Sequence, residues 1–210
     1  QMRGFSSTHS WLICQRSERN DWEEYRRRRL EDFEKEKREG RVDEDIVPLL
    51  EWINSIESYV TLSSCSGRIA VLDLEDFGKK LNSRFLGKWH RSASFEEVLE
   101  SARNCKRQGW LIQFPPIVHV ACKDLASAEK LLRVANMAGF RRSGVISLRN
   151  LVVEIASLER IEIPIAIDGK LIVDESYLRT AVEIANLKLE KGKRKLEKLF
   201  NLLSEIKNEK

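Results

Sequence analysis

The sequence predicts an α+β fold, a single compact domain in which a mixed, largely antiparallel sheet is flanked by helices. Three observations lead there. Between residues 144 and 173 four strand-like segments follow one another with no helix among them. Consecutive strands pair antiparallel, whereas strict helix–strand alternation would give a parallel sheet. Hydrophobic residues make up 42% of the 210 positions, against 4 Pro and 10 Gly; that supplies a sizeable core and excludes a linker-dominated or collagen-like chain. The glycines are scattered singly, with neither GxGxxG nor GxxxxGK followed by Ser or Thr. A Rossmann-type dinucleotide fold and a P-loop are therefore unsupported.

A long charged helix is expected over residues 22–39, ended by Gly40, with the arginines 26–29 set among Glu23, Glu24 and Glu31 at i, i+4 spacing. The arginine run reads first as a solvated helix face, ahead of a nucleic-acid arm. Asp43 is placed as the N-cap of a second helix through IVPLLEWIN, with Pro48 tolerated near its start. Residues 59–62 then lead into a polar turn, Ser63-Ser64-Cys65-Ser66-Gly67, and a strand over 68–74. Ser94 with Glu97 three residues later forms a capping box for a helix reaching about Cys105. Two apolar runs, 110–114 and 117–122, are joined by Pro115-Pro116. Asp124 caps the next helix, in which Leu125, Ala128, Leu131, Leu132 and Ala135 form one stripe and which Gly139 ends. Strands are expected over 144–148, 151–156, 160–165 and 170–173, the last after an Asp168-Gly169 turn. Asp174 caps a C-terminal helix with Tyr177, Leu178, Ala181, Val182, Ile184 and Ala185 inward. Beyond Gly192 a second helical stretch carries Leu196, Leu199, Leu202 and Leu203. Residues 1–20 are set apart as a variable or disordered N-terminal arm, leaving 21–210 as the domain.

Charge is small in sum and uneven in place. Lys and Arg number 37 against 33 Asp and Glu, yet residues 101–150 hold nine basic side chains against Asp124 and Glu129, a local +7. Such a block suits a polyanionic partner, and solvated helix faces would also produce it. Charged residues at 33% and only four glutamines follow the pattern of heat-adapted proteins. No apolar run approaches the roughly 20 residues that cross a bilayer, and the opening stretch lacks a secretory signal. A soluble, cytoplasmic protein is expected. Cys14, Cys65, Cys105 and Cys122 form no CxxC pair, and His9, His90 and His119 lack metal-ligand spacing, so no metal site is expected.

The segment SSCSGR, residues 63–68, carries the most chemical promise. Small polar side chains and Gly67 would let backbone N–H groups approach a ligand, with Arg68 forking onto a carboxylate or phosphate. A plain polar turn explains the same residues. Cys65 reads as a small structural thiol rather than a nucleophile. His119 alternates with Val118 and Val120 along its strand, as a hydrogen-bonded, half-buried histidine or as a base. Arg141 and Arg142, followed by Ser143-Gly144, suit a phosphate clamp or a basic helix end. Lys88, Trp89 and His90 could hold a phosphate and stack on a base, though a core tryptophan fits equally.

Taken in order, SSCSGRI (63–69), GKW (87–89), residues 115–147 and VVEIASLERIEIPIA (152–166) resemble a tRNA-modification family. That family is the tRNA wybutosine-synthesizing protein three family, and the similarity covers roughly residues 22–185. The resemblance implies a fold that is not Rossmann-type and an S-adenosylmethionine-dependent transfer of a methyl group. The acceptor it implies is the N-4 position of the 7-aminocarboxypropyl-demethylwyosine base beside the anticodon of tRNA-Phe. It further implies catalytic roles for His119 and Ser64, and cofactor contacts from Ser63, Cys65, Gly67, Arg68, Ser143 and Gly144. RNA contacts would come from Lys88, Trp89, His90, Arg141 and Arg142. Here His90 follows Trp89 directly, where the family carries a Ser-His pair a few residues later. The alternative reading is a non-catalytic tRNA- or RNA-binding protein using the basic 101–150 window.

Overall fold

The computed structural model describes the backbone of residues 8–75 and 83–208, and the side chains of residues 21–75 and 83–205. The arm expected over residues 1–20 thus lies outside the described side chains. Nine strands divide between two sheets among the described residues, and every pairing is antiparallel. The first sheet has the order β1-β5-β7-β6, from β1 (Tyr59–Cys65), β5 (Ile117–Cys122), β7 (Val152–Ala156) and β6 (Gly144–Ser147). The second has the order β3-β2-β4-β8-β9, from β3 (Arg84–Trp89), β2 (Arg68–Leu74), β4 (Gln108–Phe114), β8 (Ile161–Ile167) and β9 (Lys170–Leu171). Three short crossovers, Ser66-Gly67, Pro115-Pro116 and residues 157–160, carry the chain from one sheet to the other.

Helices close three of the four sheet faces. The helices α2 (Val47–Asn54) and α4 (Leu125–Ala138) pack with the second half of α5 (Glu175–Asn208) on Val118, Val120, Val153 and Ile155 of the first sheet. α3 (Phe95–Arg103) and the first half of α5 cover Ile69, Val71 and Leu111 of the second. The remaining face of the first sheet takes α1 (Thr8–Arg38), whose Trp22, Tyr25 and Leu30 sit against Val60, Ala121 and Val152. Arg27, Arg28 and Arg29 pair with Glu31, Glu24 and Asp32 on the helix surface, as the spacing predicts. Arg26 instead turns inward and donates to the carbonyls of Tyr59 and Asn54, docking α1 on the start of β1.

Several local expectations hold. Ser94 and Glu97 form the capping box of α3. Asp124 and Ser127 form that of α4, and Gly139 ends α4 at φ 100°. Asp168 and Gly169 both take positive φ, at 47° and 73°, the requirement of a two-residue type I′ hairpin between β8 and β9.

Others are corrected. Leu125 lies outside the α4 stripe, 69% exposed, because it is the first residue after the cap; Val134 and Ala138 take the inner positions instead. Tyr177 and Ile184 also face outward. Asp43 does not cap with its side chain, and a turn of 3-10 helix at Glu44–Ile46 precedes α2. Gly192 does not divide the C-terminal helix. It lies inside the 34-residue α5, where a Cβ would stand 2.6 Å from Cδ of Pro116. The glycine is there for a close approach, and helix continuity is maintained by packing on both cores.

Behind α5, Lys195 donates to both oxygens of Glu159 at 2.6 and 2.7 Å, its stem passing beside Gly139. Burial would raise the Glu159 carboxyl, but Lys195 and Lys191 outweigh it and hold the group at about 2. A carboxyl depressed on folding lends stability that is present in full above its ordinary value of 4.5 and lost as pH falls toward 2. Glu159→Gln should therefore lower the urea midpoint at pH 7, with the difference from wild type shrinking through that acid window. Gly192→Ala gains about 1 kcal/mol of helix propensity but forces Pro116 to move, which costs about 1–3 kcal/mol. Denaturant titration should find the variant no more stable than wild type; a clear gain would mean that the Pro116 contact is soft.

Candidate functional site

The end of β1 collects the chemistry. Ser63, Ser64 and Cys65 belong to the strand, so the expected five-residue turn shrinks to Ser66-Gly67. A bulge near Leu62 resets the alternation, after which Ser63 lies opposite His119, and His119 opposite Glu154 of β7, which faces Gly144 of β6. One row of cross-strand neighbours results. The Ser63 hydroxyl is 2.7 Å from His119 Nδ1, and His119 Nε2 is 2.9 Å from Glu154 Oε2. A carboxylate accepts only, so Nε2 donates to Glu154 and Nδ1 accepts from the Ser63 hydroxyl. Both ring nitrogens are committed. Ser64 pairs with Val118 and so lies on the opposite face from His119, apart from the histidine it was expected to serve.

A second imidazole arrives from β3. Asp43, Cys65 and His90 bring one potential ligand atom each to within 4.8 Å of one another. Asp43 Oδ2 accepts the Ser66 amide at 2.8 Å and lies 3.2 Å from His90 Nδ1. The aspartate that its sequence position marks as a helix cap thus ties the crossover to His90. Burial pushes the Cys65 thiol up; the Gly67 amide opposes this, the Asp43 charge adds to it, and Arg68 opposes it. Cys65 stays a thiol, in keeping with a structural role. The three residues are far apart in sequence, so spacing could not reveal the cluster. One Asp43 oxygen already serves the Ser66 amide, and Cys65 and His90 face the same point.

A cleft of about 300 Å³ opens between α1 and β1 beside this cluster. Arg29, Asp32, Arg41, Thr61, Ser63 and Ser64 lend it polar groups. Val42 and Ser64, also in its wall, are the chain neighbours of Asp43 and Cys65.

The other expected site residues are dispersed. Gly67 has φ 92°, and a Cβ there would meet Leu189 and Pro116, so this glycine serves packing under α5 rather than ligand approach. Ser143 donates to the Phe140 carbonyl at 2.8 Å and accepts the Ala156 amide at 3.2 Å, holding the start of β6. Arg141 and Arg142 are exposed in the turn before it. Trp89 folds over Gly87 against the second core, while Lys88 faces the other side of the sheet. The basic 101–150 window divides between the two sheets: Lys106 and Arg107 give their amides to Asp73 beside β4, whereas Arg141 and Arg142 adjoin β7. Sequence reasoning misses Glu154, Asp43 in this role, and the rings of Phe85 and Phe114 around Arg68. Alternation puts Glu154 on the face away from Val153 and Ile155; which histidine it meets depends on register.

A family model described as Methyltransferase TYW3 matches residues 22–205. A protein of Archaeoglobus fulgidus named "tRNA(Phe) 7-((3-amino-3-carboxypropyl)-4-demethylwyosine(37)-N(4))-methyltransferase" is 53% identical over 188 residues, covering 90% of this chain and 96% of its own. A Pyrococcus horikoshii protein of the same name, numbered 1, is 45% identical over 172 residues, covering 80% of this chain and 88% of its own. The solved structure of the PH1069 protein from Pyrococcus horikoshii aligns with TM-score 0.85 at 43% identity, over 88% of this chain and 96% of that one. A hypothetical protein from Aeropyrum pernix gives TM-score 0.68 at 30% identity, over 78% and 98%. Agreement in sequence along nearly the whole domain, and in the two-sheet fold, makes this chain a member of the Methyltransferase TYW3 family.

Proposed function

We propose that this protein methylates N-4 of the 7-aminocarboxypropyl-demethylwyosine base of tRNA-Phe, with S-adenosylmethionine as donor, and that the reaction centre lies at the end of β1. The observation that carries the reading is the convergence there of a polar cleft and two imidazoles, each backed by a carboxylate: His119 by Glu154 and His90 by Asp43. The donor set suits the cofactor. Ser63 and Ser64 offer hydroxyls for a ribose, and the cleft's ion pairs Arg29–Asp32 and Arg41–Glu36 could open to meet an amine and a carboxylate. When bound, S-adenosylmethionine supplies a methyl group activated by a sulfonium. Of the cofactor contacts that the family resemblance implies, Ser63 and Cys65 stay in the proposal; Arg68 stacks on Phe85 and Phe114 away from the cleft, and Gly67, Ser143 and Gly144 shape the backbone.

The acceptor nitrogen sheds a proton as its bond to carbon forms, and an imidazole titrating near neutrality is the fitting acceptor. Asp43 Oδ2 stands 3.2 Å from Nδ1 of His90 without forming a hydrogen bond to it, and a negative charge on that side favours the proton on Nδ1 and the lone pair on Nε2. His90 is thus poised to take a proton directly. His119 has both nitrogens engaged, so a proton could reach it only through the Ser63 hydroxyl. In the first reading His90 is the base and His119 is a positioning residue that fixes Ser63. The second reading, with His119 as base, is the one the strand pattern favours.

Purified protein, tRNA-Phe bearing the unmethylated base and methyl-labelled S-adenosylmethionine should give one methyl on that base by mass spectrometry. Binding of the tRNA without transfer would favour the non-catalytic alternative. His90→Asn should cut single-turnover transfer by roughly a hundredfold or more, the usual scale of general-base loss, and keep S-adenosylmethionine binding by calorimetry. His119→Asn and Glu154→Gln should cost less than that and resemble each other. The reverse ranking would give the proton to His119 through Ser63. Reversing Arg141 and Arg142 to Glu should flatten the dependence of log affinity for tRNA on log salt, by roughly 0.7–0.9 for each phosphate that the protein no longer neutralises.

A further inference from the structure

α3 and α5 take one face of the second sheet; the other carries Arg68, Phe85 and Phe114 beside the buried Ala70, Leu72 and Ile112. Aromatic rings and guanidiniums alternate across that outer face. Arg68 of β2 and Phe114 of β4 are cross-strand partners, with the guanidinium 5.2 Å from the ring centroid. The Arg68 side chain runs along its strand past the small Ala70 and also stands 5.6 Å from the ring of Phe85, which lies across from Leu72. Beyond Phe114, Arg160 stands 5.0 Å from the same ring, just before β8. Lys88 approaches Phe85 at 6.0 Å. Phe85 is 47% exposed, although it would be more stable buried. Cations on this face include Arg68, Lys88 and Arg160, and the carboxylate of Glu162 is already paired with Arg160 at 2.9 Å.

We propose that this ladder, Phe85–Arg68–Phe114–Arg160, is the surface that receives the unpaired anticodon loop of the tRNA, its bases stacking on the rings and guanidinium planes while Lys88 meets the backbone. The inference rests on the tRNA methyltransferase reading and names where the substrate lies. Every base has a π-face, so rings interleaved with cations hold single-stranded RNA with little demand on sequence. Arg160 spends Nε and one Nη on Glu162 and Arg68 Nε is buried, so the guanidiniums offer this face their planes for stacking and phosphate contact falls to Lys88. A duplex keeps its bases inside the stack and cannot use such a ladder, whereas a loop can give up one base to a reaction centre. The ladder begins at Arg68, three residues after Cys65, so a loop laid along it has a neighbouring base within reach of the end of β1.

The test uses the full chain with two probes: a synthetic hairpin of the tRNA-Phe anticodon stem-loop sequence and a fully paired RNA duplex of the same length. By fluorescence anisotropy the wild type should prefer the hairpin. Phe85→Ala should weaken hairpin binding roughly tenfold, the scale of removing one base stack, and leave duplex binding unchanged. Arg160→Ala should act in the same direction. Phe85 is nearly half exposed, so thermal unfolding of its variant should stay cooperative. Hairpin affinity within twofold of wild type in the double variant would overturn the ladder, and so would an equal weakening on hairpin and duplex, which would make the face a general polyanion patch. A methylating wild type indifferent to both substitutions refutes the ladder alone. A wild type that loses hairpin binding on Phe85→Ala but never transfers a methyl supports the ladder and refutes the enzymatic reading.

Discussion

Where α5 crosses from the second sheet to the first, Gly192 lets Pro116 close against the helix, and Leu189 one turn earlier fills the space beside Gly67. Two of the three short crossovers between the sheets are pinned at this one place. A side chain at either glycine would push a crossover outward and separate the sheets that α5 otherwise joins. Because Leu178, Val182 and Leu189 belong to the second core and Leu196, Leu199 and Leu203 to the first, a single helix contributes to both. Its continuity keeps the two sheets in fixed relation, which no short crossover could do alone.

That pinning sets the chemistry. Cys65 ends one strand and Arg68 begins the next, in different sheets, so the two residues between them hold the hydrogen-bonded row of the first sheet beside the aromatic ladder of the second. Asp43 fixes the same junction from below by accepting the Ser66 amide, and in doing so faces His90. An aspartate used to order a backbone turn also sets its charge beside an imidazole. The groups at this junction are rigid because each is held by a strand pairing or a buried hydrogen bond, the condition for positioning a reacting nitrogen.

Local signals in the chain are legible wherever the physics is local. The capping boxes at Ser94 and Asp124, the left-handed Gly139 and the Asp168-Gly169 hairpin each need only residues within four positions of one another, and each forms as the pattern implies. Gly192 misleads for a matching reason. A glycine in a helical pattern signals a break only if nothing approaches it, and Pro116, 76 positions away, does. Asp43 has the composition of a cap, yet the Ser66 amide across the chain competes successfully for its carboxylate.

The same division applies to the site. By itself the sequence determined the α+β class, the strand carrying His119 with Val118 and Val120 behind it, the reactive promise of residues 63–68, and the family through its ordered motifs. These follow from residue types, alternation and order along the chain. Only the tertiary structure decided that Ser63 rather than Ser64 meets His119, that Glu154 backs that histidine, and that Asp43 and Cys65 gather around His90. A bulge at Leu62 shifts every later residue of β1 by one face, and strand register is set by packing across the sheet rather than by the strand itself.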